Sequence, residues 1–174
     1  TVGLNESTVG RVKDFIPAWA FPIYEYVEGL PEGHLIGNIG QVTQPYQKVN
    51  AELRDDQPDS EETKLWVKKM RNALDRLPKF EGLSFRGTRL RKENIDKFYP
   101  LGGRAIDGAF ISTSMLPSVA ERFAFADPNL SEQDLKKIGV IFIIKGKTGR
   151  PVSTLGDDHD DEAEILFKNG TPFK

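Results

Sequence analysis

The spacing of hydrophobic residues changes at Pro78, and this change limits the possible folds more than any other feature. Downstream of Ser60, apolar residues recur at the spacing of one buried helical stripe, at Trp66, Met70, Ala73, Leu74 and Leu77. After Pro78, residues 83–86 alternate between apolar and polar, which is the period of a half-buried strand. A helical part followed by a strand-rich part predicts an α+β fold.

The remaining segments support the same division. Weaker helical patterns cover 9–26 and 43–53, and the glycine-rich stretch 29–40 between them is predicted to be a loop. The length of 174 residues fits a single domain, with 1–80 as its helical part and 81–174 as its β-rich part. In the β-rich part we predict helices over 92–99 and from Pro117, a turn at 101–103, a buried strand over 139–145, and further strands over 109–112 and 162–167.

Composition excludes several functional classes. The formal net charge is −2 and no long basic run is present, which argues against electrostatic binding to nucleic acid or to an anionic membrane. The chain has no cysteine, so a disulfide scaffold, a thiolate metal site and a cysteine nucleophile are excluded. The longest aliphatic run, 140–144, is too short to span a bilayer. Because the first residue is Thr1 rather than Met, we expect a piece of a longer protein.

Three short motifs in the β-rich part are candidates for chemistry. The first, Phe85-Arg86-Gly87, places an arginine at a strand end, where it can bind a phosphate or a carboxylate through two hydrogen bonds. Gly87 would let a ligand approach the backbone closely. Taken alone, the motif is better explained as a surface arginine before a turn.

The second and third motifs lie on predicted strands. Ser112, Thr113 and Ser114 end an apolar strand, where their hydroxyls can bond to neighbouring backbone or to a buried carboxylate. Glu162 and Glu164 are two residues apart, so on a strand both carboxylates face one side. Individually, these motifs are explained as a strand exit and as a pair of exposed glutamates.

Together and in this order, the three motifs resemble the arginine–serine–glutamate class of ADP-ribosyltransferases, which includes bacterial toxins and effectors and some vertebrate ectoenzymes. The resemblance covers about 83–173 and includes the sequence Val-Ala-Glu-Arg-Phe at 119–123 and the apolar residues 165–167. It implies the ADP-ribosyltransferase fold, with two small, mostly antiparallel sheets around an NAD cleft and helices packed on them. It also implies that NAD is consumed as a substrate and that no metal is needed.

The resemblance further implies roles for the motif residues in binding and cleaving NAD. Arg86 would bind the NAD diphosphate, and the Gly87 backbone would bind the nicotinamide amide. Ser112 would orient Glu164, and Glu164 would stabilise the oxocarbenium-like transition state as nicotinamide leaves. The aromatic ring of Phe123 would lie against the charged nicotinamide. The implied NAD-binding set is completed by Arg91, Thr113 and Ser114.

Glu162 is expected to face the acceptor. In the resembled class, a glutamate at this position accompanies arginine acceptors, and a carboxylate can pair with a guanidinium and take its proton. We therefore expect transfer of one ADP-ribose to an arginine of a target protein, which the segment 147–161 would recognise. Two alternatives would use the same fold. An NAD glycohydrolase would need Arg86, Ser112 and Glu164 but not Glu162, and a catalytically inactive binding module would need none of them.

The cellular setting and the partners follow from the resemblance alone. It implies a bacterial toxin or effector that is secreted or delivered into a target cell and acts in its cytoplasm. A cell that makes such a toxin is expected to carry an inhibitor or immunity protein, whereas nucleic acid and membrane partners are not expected. The acidic run 157–162 contains oxygen ligands of the kind that calcium prefers, but it lacks the EF-hand spacing, so a solvated loop is the simpler interpretation.

Overall fold

The structure is a computed structural model that describes residues 17–28, 46–55, 59–126, 136–155 and 162–174. The predicted loop at 29–40, the start of the predicted helix at 9–26 and most of the acidic run lie outside the described residues. Its helices are α1 (Phe21–Glu28), α2 (Tyr46–Arg54), α3 (Glu61–Asp75), α4 (Lys92–Phe98) and α5 (Pro117–Phe125). Its strands are β1 (Phe80–Leu90), β2 (Ala105–Ile106), β3 (Ile111–Ser114), β4 (Ile138–Pro151), β5 (Glu164–Phe167) and β6 (Pro172–Phe173).

Helix α3 shows why the first part is helical. The Ser60 side chain caps the helix by accepting a hydrogen bond of 3.2 Å from the backbone amide of Thr63. The helix ends at Asp75, before Pro78. Four residues of the predicted stripe are buried and Leu77 is partly buried, and the stripe packs with α1, α2 and Phe110 in one core cluster. A helical part that precedes the strands is therefore present, as the predicted fold class requires.

In the described part of the chain, β1, β3, β5 and β4 close into a small antiparallel barrel, and β2 pairs with β6 in a second sheet. The longest pairing joins β1 to β4, from Gly82 opposite Gly146 to Leu90 opposite Ile138. The predicted pair of small antiparallel sheets is confirmed. Strand β5 lies between β3 and β4, which cover both of its edges, and all four of its residues are buried.

Strand β5 contributes residues to two core clusters. Ile165 and Phe167 are fully buried with Ile111 in one apolar cluster, while Leu166 joins the cluster that contains the helices. The interior is filled so tightly that a Cβ atom on Gly149 would lie 2.5 Å from the Cγ2 atom of Ile165. The barrel and the helical part are therefore packed on opposite sides of the same strand.

Three predictions about β1, β3 and β4 need correction. The segment 139–145 was predicted to be buried, but β4 runs from Ile138 to Pro151 and Ile143 is 68% exposed. Strand β3 begins two residues later than predicted. On β1 the polar side of the alternation faces inward, since Ser84 is fully buried and Leu83 is 54% exposed. The alternation shows that a strand has two different faces, but it does not show which face meets the rest of the protein.

Candidate active site

One cavity brings the three motifs together. It has a volume of about 450 Å³ and lies where β1, β3 and α5 meet the ends of α1 and α2. Eight of the nine predicted site residues line it, namely Arg86, Gly87, Ser112, Thr113, Ser114, Phe123, Glu162 and Glu164. The fold thus collects side chains that are separated by up to 78 positions in the sequence, from Arg86 to Glu164.

Ser112 connects the arginine to the buried glutamate. Its backbone carbonyl accepts a hydrogen bond of 2.8 Å from Nη1 of Arg86, and its hydroxyl donates one of 2.5 Å to Oε1 of Glu164. Glu164 is only 7% exposed. Burial lowers the pKa of Arg86 from its usual value. Arginine remains charged at neutral pH even so, and the cavity therefore holds a fixed cation and an oriented carboxylate.

The other two hydroxyls of the serine–threonine–serine motif are bonded to backbone. Oγ1 of Thr113 donates to the carbonyl of Ile165 at 2.8 Å, and Oγ of Ser114 donates to the carbonyl of Glu162. Oγ of Ser114 also accepts from the amide of Leu116 at 2.8 Å. These bonds hold β3 against the start of β5, so the two hydroxyls stabilise the site's frame. Contact of Thr113 and Ser114 with NAD stays a prediction.

Gly87 is required by the packing of α5. A Cβ atom at this position would lie 1.7 Å from the carbonyl oxygen of Ala120, which is closer than any contact between non-bonded atoms allows. Helix α5 therefore lies directly on the backbone of β1 and places Phe123 at the cavity. The predicted approach of a ligand to Gly87 remains untested, whereas the approach of the helix is a sufficient reason for the glycine.

The two glutamates do not lie on one continuous strand. Strand β5 begins at Glu164, and the preceding Ala163 has a φ of 43°, a left-handed conformation that is uncommon for a residue with a side chain. The prediction of a strand over 162–167 is therefore wrong for its first two residues. Both carboxylates still line the cavity. The carboxylate of Glu162 pairs with the guanidinium of Arg122, which lies on α5.

Arg91 is placed differently from the other predicted residues. It is exposed, directly precedes α4, and is not among the residues that line the cavity. Arg89 lines the cavity instead, and its guanidinium donates to the carbonyls of Ala124 at 2.9 Å and Lys137 at 3.0 Å. A contact between Arg91 and NAD phosphates stays a prediction, but Arg89 is the nearer candidate among the residues that follow Arg86.

Sequence reasoning missed the contribution of the helical part. Tyr26 on α1 lines the cavity and is only 6% exposed. Its hydroxyl accepts a hydrogen bond of 3.1 Å from Nδ2 of Asn50, while Oδ1 of Asn50 accepts from the amide of Phe110 at 3.2 Å. Burial raises the pKa of Tyr26 to about 12. In the sequence, the only signal of the Tyr26–Asn50 pair is that each residue places a polar group on an apolar helical face.

The described residues contain no group of three or more carboxylate or histidine side chains that could hold a metal ion. The acidic run 157–161 is outside them, so the calcium interpretation is not tested. Likewise, no helix in the described ranges is both long enough and apolar enough to cross a membrane.

The fold around this cavity is that of the ADP-ribosyltransferases. Among solved structures, HopU1 of Pseudomonas syringae pv. tomato superposes with a TM-score of 0.67 and 28% identity, over 94% of this chain and 71% of that chain. The Vis structure in complex with agmatine superposes with a TM-score of 0.65 and 25% identity, over 98% of this chain and 78% of that chain. The predicted fold is confirmed.

Sequence comparison finds relatives of the same class. The chain is 35% identical to the ADP-ribosyltransferase Vis of Vibrio splendidus over 109 residues, and these residues make up 63% of this chain and 42% of Vis. It is 31% identical over 129 residues to Tre1 of Pseudomonas putida, an NAD(+)–protein-arginine ADP-ribosyltransferase. The matched residues make up 74% of this chain and 22% of Tre1. The chain thus spans less than half of the length of these relatives. No family model matches the chain. The predicted enzyme class is the class of these relatives.

Proposed function

We propose that residues 1–174 form the catalytic domain of a mono-ADP-ribosyltransferase of the arginine–serine–glutamate class, which cleaves NAD and transfers ADP-ribose to an arginine of another protein. The observation that carries this proposal is the hydrogen-bonded series Arg86–Ser112–Glu164 within one cavity. Such a series supplies a cation for a phosphate and a carboxylate for a developing positive charge.

NAD fits the chemistry of the cavity. The cavity volume of about 450 Å³ is within the range of small-molecule sites, about 300–1,000 Å³. Arg86 binds the diphosphate, assisted by Arg89 or Arg91. The backbone of Gly87 binds the nicotinamide amide. The ring of Phe123, which is 55% exposed at the cavity, covers the nicotinamide.

At C1′ of the nicotinamide ribose, the proposed reaction breaks one bond and forms another. The glycosidic bond between nicotinamide and C1′ of its ribose breaks, and the electron pair leaves with neutral nicotinamide. Glu164 stabilises the positive charge that develops on the ribose, and Ser112 holds its carboxylate in place. A nitrogen of the acceptor guanidinium gives up a proton to Glu162 as it bonds to C1′, so that the electron pair of the broken N–H bond is available to the nitrogen.

An arginine acceptor is favoured by what Glu162 already binds. Its carboxylate pairs with a guanidinium, that of Arg122, at the edge of the cavity. A site that accepts one guanidinium has the charge and hydrogen-bond acceptors for another. The solved complex of Vis with agmatine, which also carries a guanidinium group, supports the same acceptor.

The proposed setting is that of a toxin or effector. Vis is described as a toxin, and the chain is similar to it in sequence and structure. We propose that this chain acts in the cytoplasm of another cell after secretion or delivery, and that the producing cell makes an inhibitor or immunity protein. Residues 147–151 of the predicted recognition loop 147–161 form the end of β4, and Arg150 is buried, so we propose that the part of this segment after β4 contacts the target protein.

The test is incubation of the purified chain with labelled NAD and either agmatine or a cell lysate. Nicotinamide release and arginine-linked label are measured for the wild type, Glu164→Gln, Glu162→Gln and the control Glu81→Gln, which changes an exposed glutamate outside the cavity. The wild type and the control are expected to show both products. Glu162→Gln should release nicotinamide without labelling, and Glu164→Gln should do neither.

Two outcomes contradict the proposal. If the wild type releases nicotinamide but labels neither agmatine nor protein, the chain is an NAD glycohydrolase. If NAD is neither bound nor cleaved, the chain is an inactive module of the same fold.

A further inference from the structure

Arg122 lies where an acceptor is expected. Nη2 of Arg122 donates to Oε1 of Glu162, and its guanidinium carbon lies 5.4 Å from the ring centre of Phe123. The Arg122 side chain is 56% exposed, whereas that of Glu162 is 26% exposed. The arginine is therefore the more solvent-exposed partner of the pair.

We infer that Arg122 occupies the acceptor position on Glu162 and that an acceptor arginine displaces it, so that the chain favours arginines with an acidic neighbour. This inference rests on the proposed function, because it assigns Glu162 to the acceptor. It names a class of substrate that the motifs do not specify. The favoured substrate is an arginine flanked by a carboxylate rather than by a basic residue.

The displacement is energetically accessible. An ion pair between exposed side chains is weak, and its loss is expected to change apparent affinity by only about two- to five-fold. Arg122 can move because its long side chain is mostly in solvent, while its backbone is held in α5. The affinity of Glu162 for an incoming guanidinium is therefore close to its affinity for Arg122.

The preference for an acidic neighbour follows from the released charge. Once displaced, Arg122 is an unpaired cation beside the acceptor. A carboxylate next to the acceptor arginine can pair with it, whereas a lysine or arginine there is repelled.

A different role for Arg122 has a different signature. If Arg122 only holds Glu162 in a productive orientation, its removal should lower kcat for every acceptor and leave the order of preference unchanged. If it competes with the acceptor, its removal should lower the KM for a small guanidine and abolish the dependence on the neighbouring charge.

The experiment uses three peptides that differ in one residue next to a single arginine, which is Glu, Gln or Lys. The value of kcat/KM for labelling is measured for the wild type, Arg122→Ala and Arg122→Glu, together with the KM for agmatine. Arg104→Glu is the matched control, because Arg104 is an exposed arginine outside the cavity and the change in charge is the same.

The wild type and Arg104→Glu are expected to favour the Glu peptide over the Lys peptide by about five-fold. Arg122→Ala should remove this preference and lower the KM for agmatine about two- to five-fold, and Arg122→Glu should favour the Lys peptide. An unchanged order in Arg122→Glu, or a uniform loss of kcat in Arg122→Ala, overturns the inference alone. If the wild type labels neither agmatine nor any peptide, the proposed function itself has failed.

Discussion

Glu162 and Glu164 are two residues apart and line one cavity, but the protein holds them in different ways. Glu164 is 7% exposed, begins a central strand and accepts a hydrogen bond from Ser112. Glu162 lies in the preceding turn, and its carboxylate is paired with an exposed arginine. Between them, Ala163 adopts a left-handed conformation that separates strand from turn.

This difference shows how one short motif can supply two chemical roles. A carboxylate that is buried and bonded to a strand residue cannot change partner without disturbing the barrel, so it suits a fixed electrostatic role. A carboxylate in an exposed ion pair can exchange its partner at little cost, so it suits recognition of an incoming guanidinium. The predictions below test this division, beginning with the largest effect.

Glu164→Gln removes the fixed charge and keeps the size of the side chain. Nicotinamide release is expected to fall about 100-fold or more, because the positive charge that develops on the ribose loses its counter-charge. The rate is measured with saturating NAD, and Glu81→Gln serves as the control. A fall of only a few-fold would show that the buried carboxylate is not the catalytic one.

Ser112→Ala removes the bond that orients Glu164. A hydrogen bond to a charged group is stronger than a neutral one, so nicotinamide release is expected to fall about 10- to 100-fold. In the double variant with Glu164→Gln the two losses should not add, since both act through one interaction. The control is Ser118→Ala, an exposed serine on α5. Additive losses would separate Ser112 from Glu164.

Tyr26→Phe tests whether water is excluded from the Glu164 side of the cavity. Burial raises the pKa of Tyr26 from 10.0 to about 12 in the folded chain. Between these values the unfolded chain loses the proton while the folded chain keeps it, so the free energy of unfolding falls as pH rises. The loss is on the order of 1–3 kcal/mol and should be absent in Tyr26→Phe. Equal pH slopes in denaturant titrations of the two proteins would contradict this.

Ala163→Gly tests the turn that separates the two glutamates. The φ of 43° is easy for glycine and unfavourable for alanine. The substitution is therefore expected to raise the free energy of unfolding by up to about 1 kcal/mol. The comparison is Ala51→Gly in the exposed middle of α2, which should lower it by about 0.5–1 kcal/mol. A loss of stability in both variants would mean that Ala163 is not strained.

Features with local causes could be predicted from the sequence. The change of period at Pro78 and the helix that begins at Pro117 depend on hydrogen bonds and steric limits within a few residues. Such features are readable because their physical causes lie close together in the chain. The eight predicted residues that line one cavity were found differently, from the resemblance of the motifs and of the sequence around Phe123 to a known enzyme class.

The tertiary structure alone decided which groups meet. Ala120 contacts Gly87, which is 33 positions away in the sequence, and Arg122 pairs with Glu162. Tyr26 lines the same cavity as Glu164, although 138 positions separate them. Hydrophobic period does not encode such distances, because it specifies a buried face and not its partner. The sequence therefore determined the elements and the candidate chemistry, and the packing of those elements assigned the two glutamates their different surroundings.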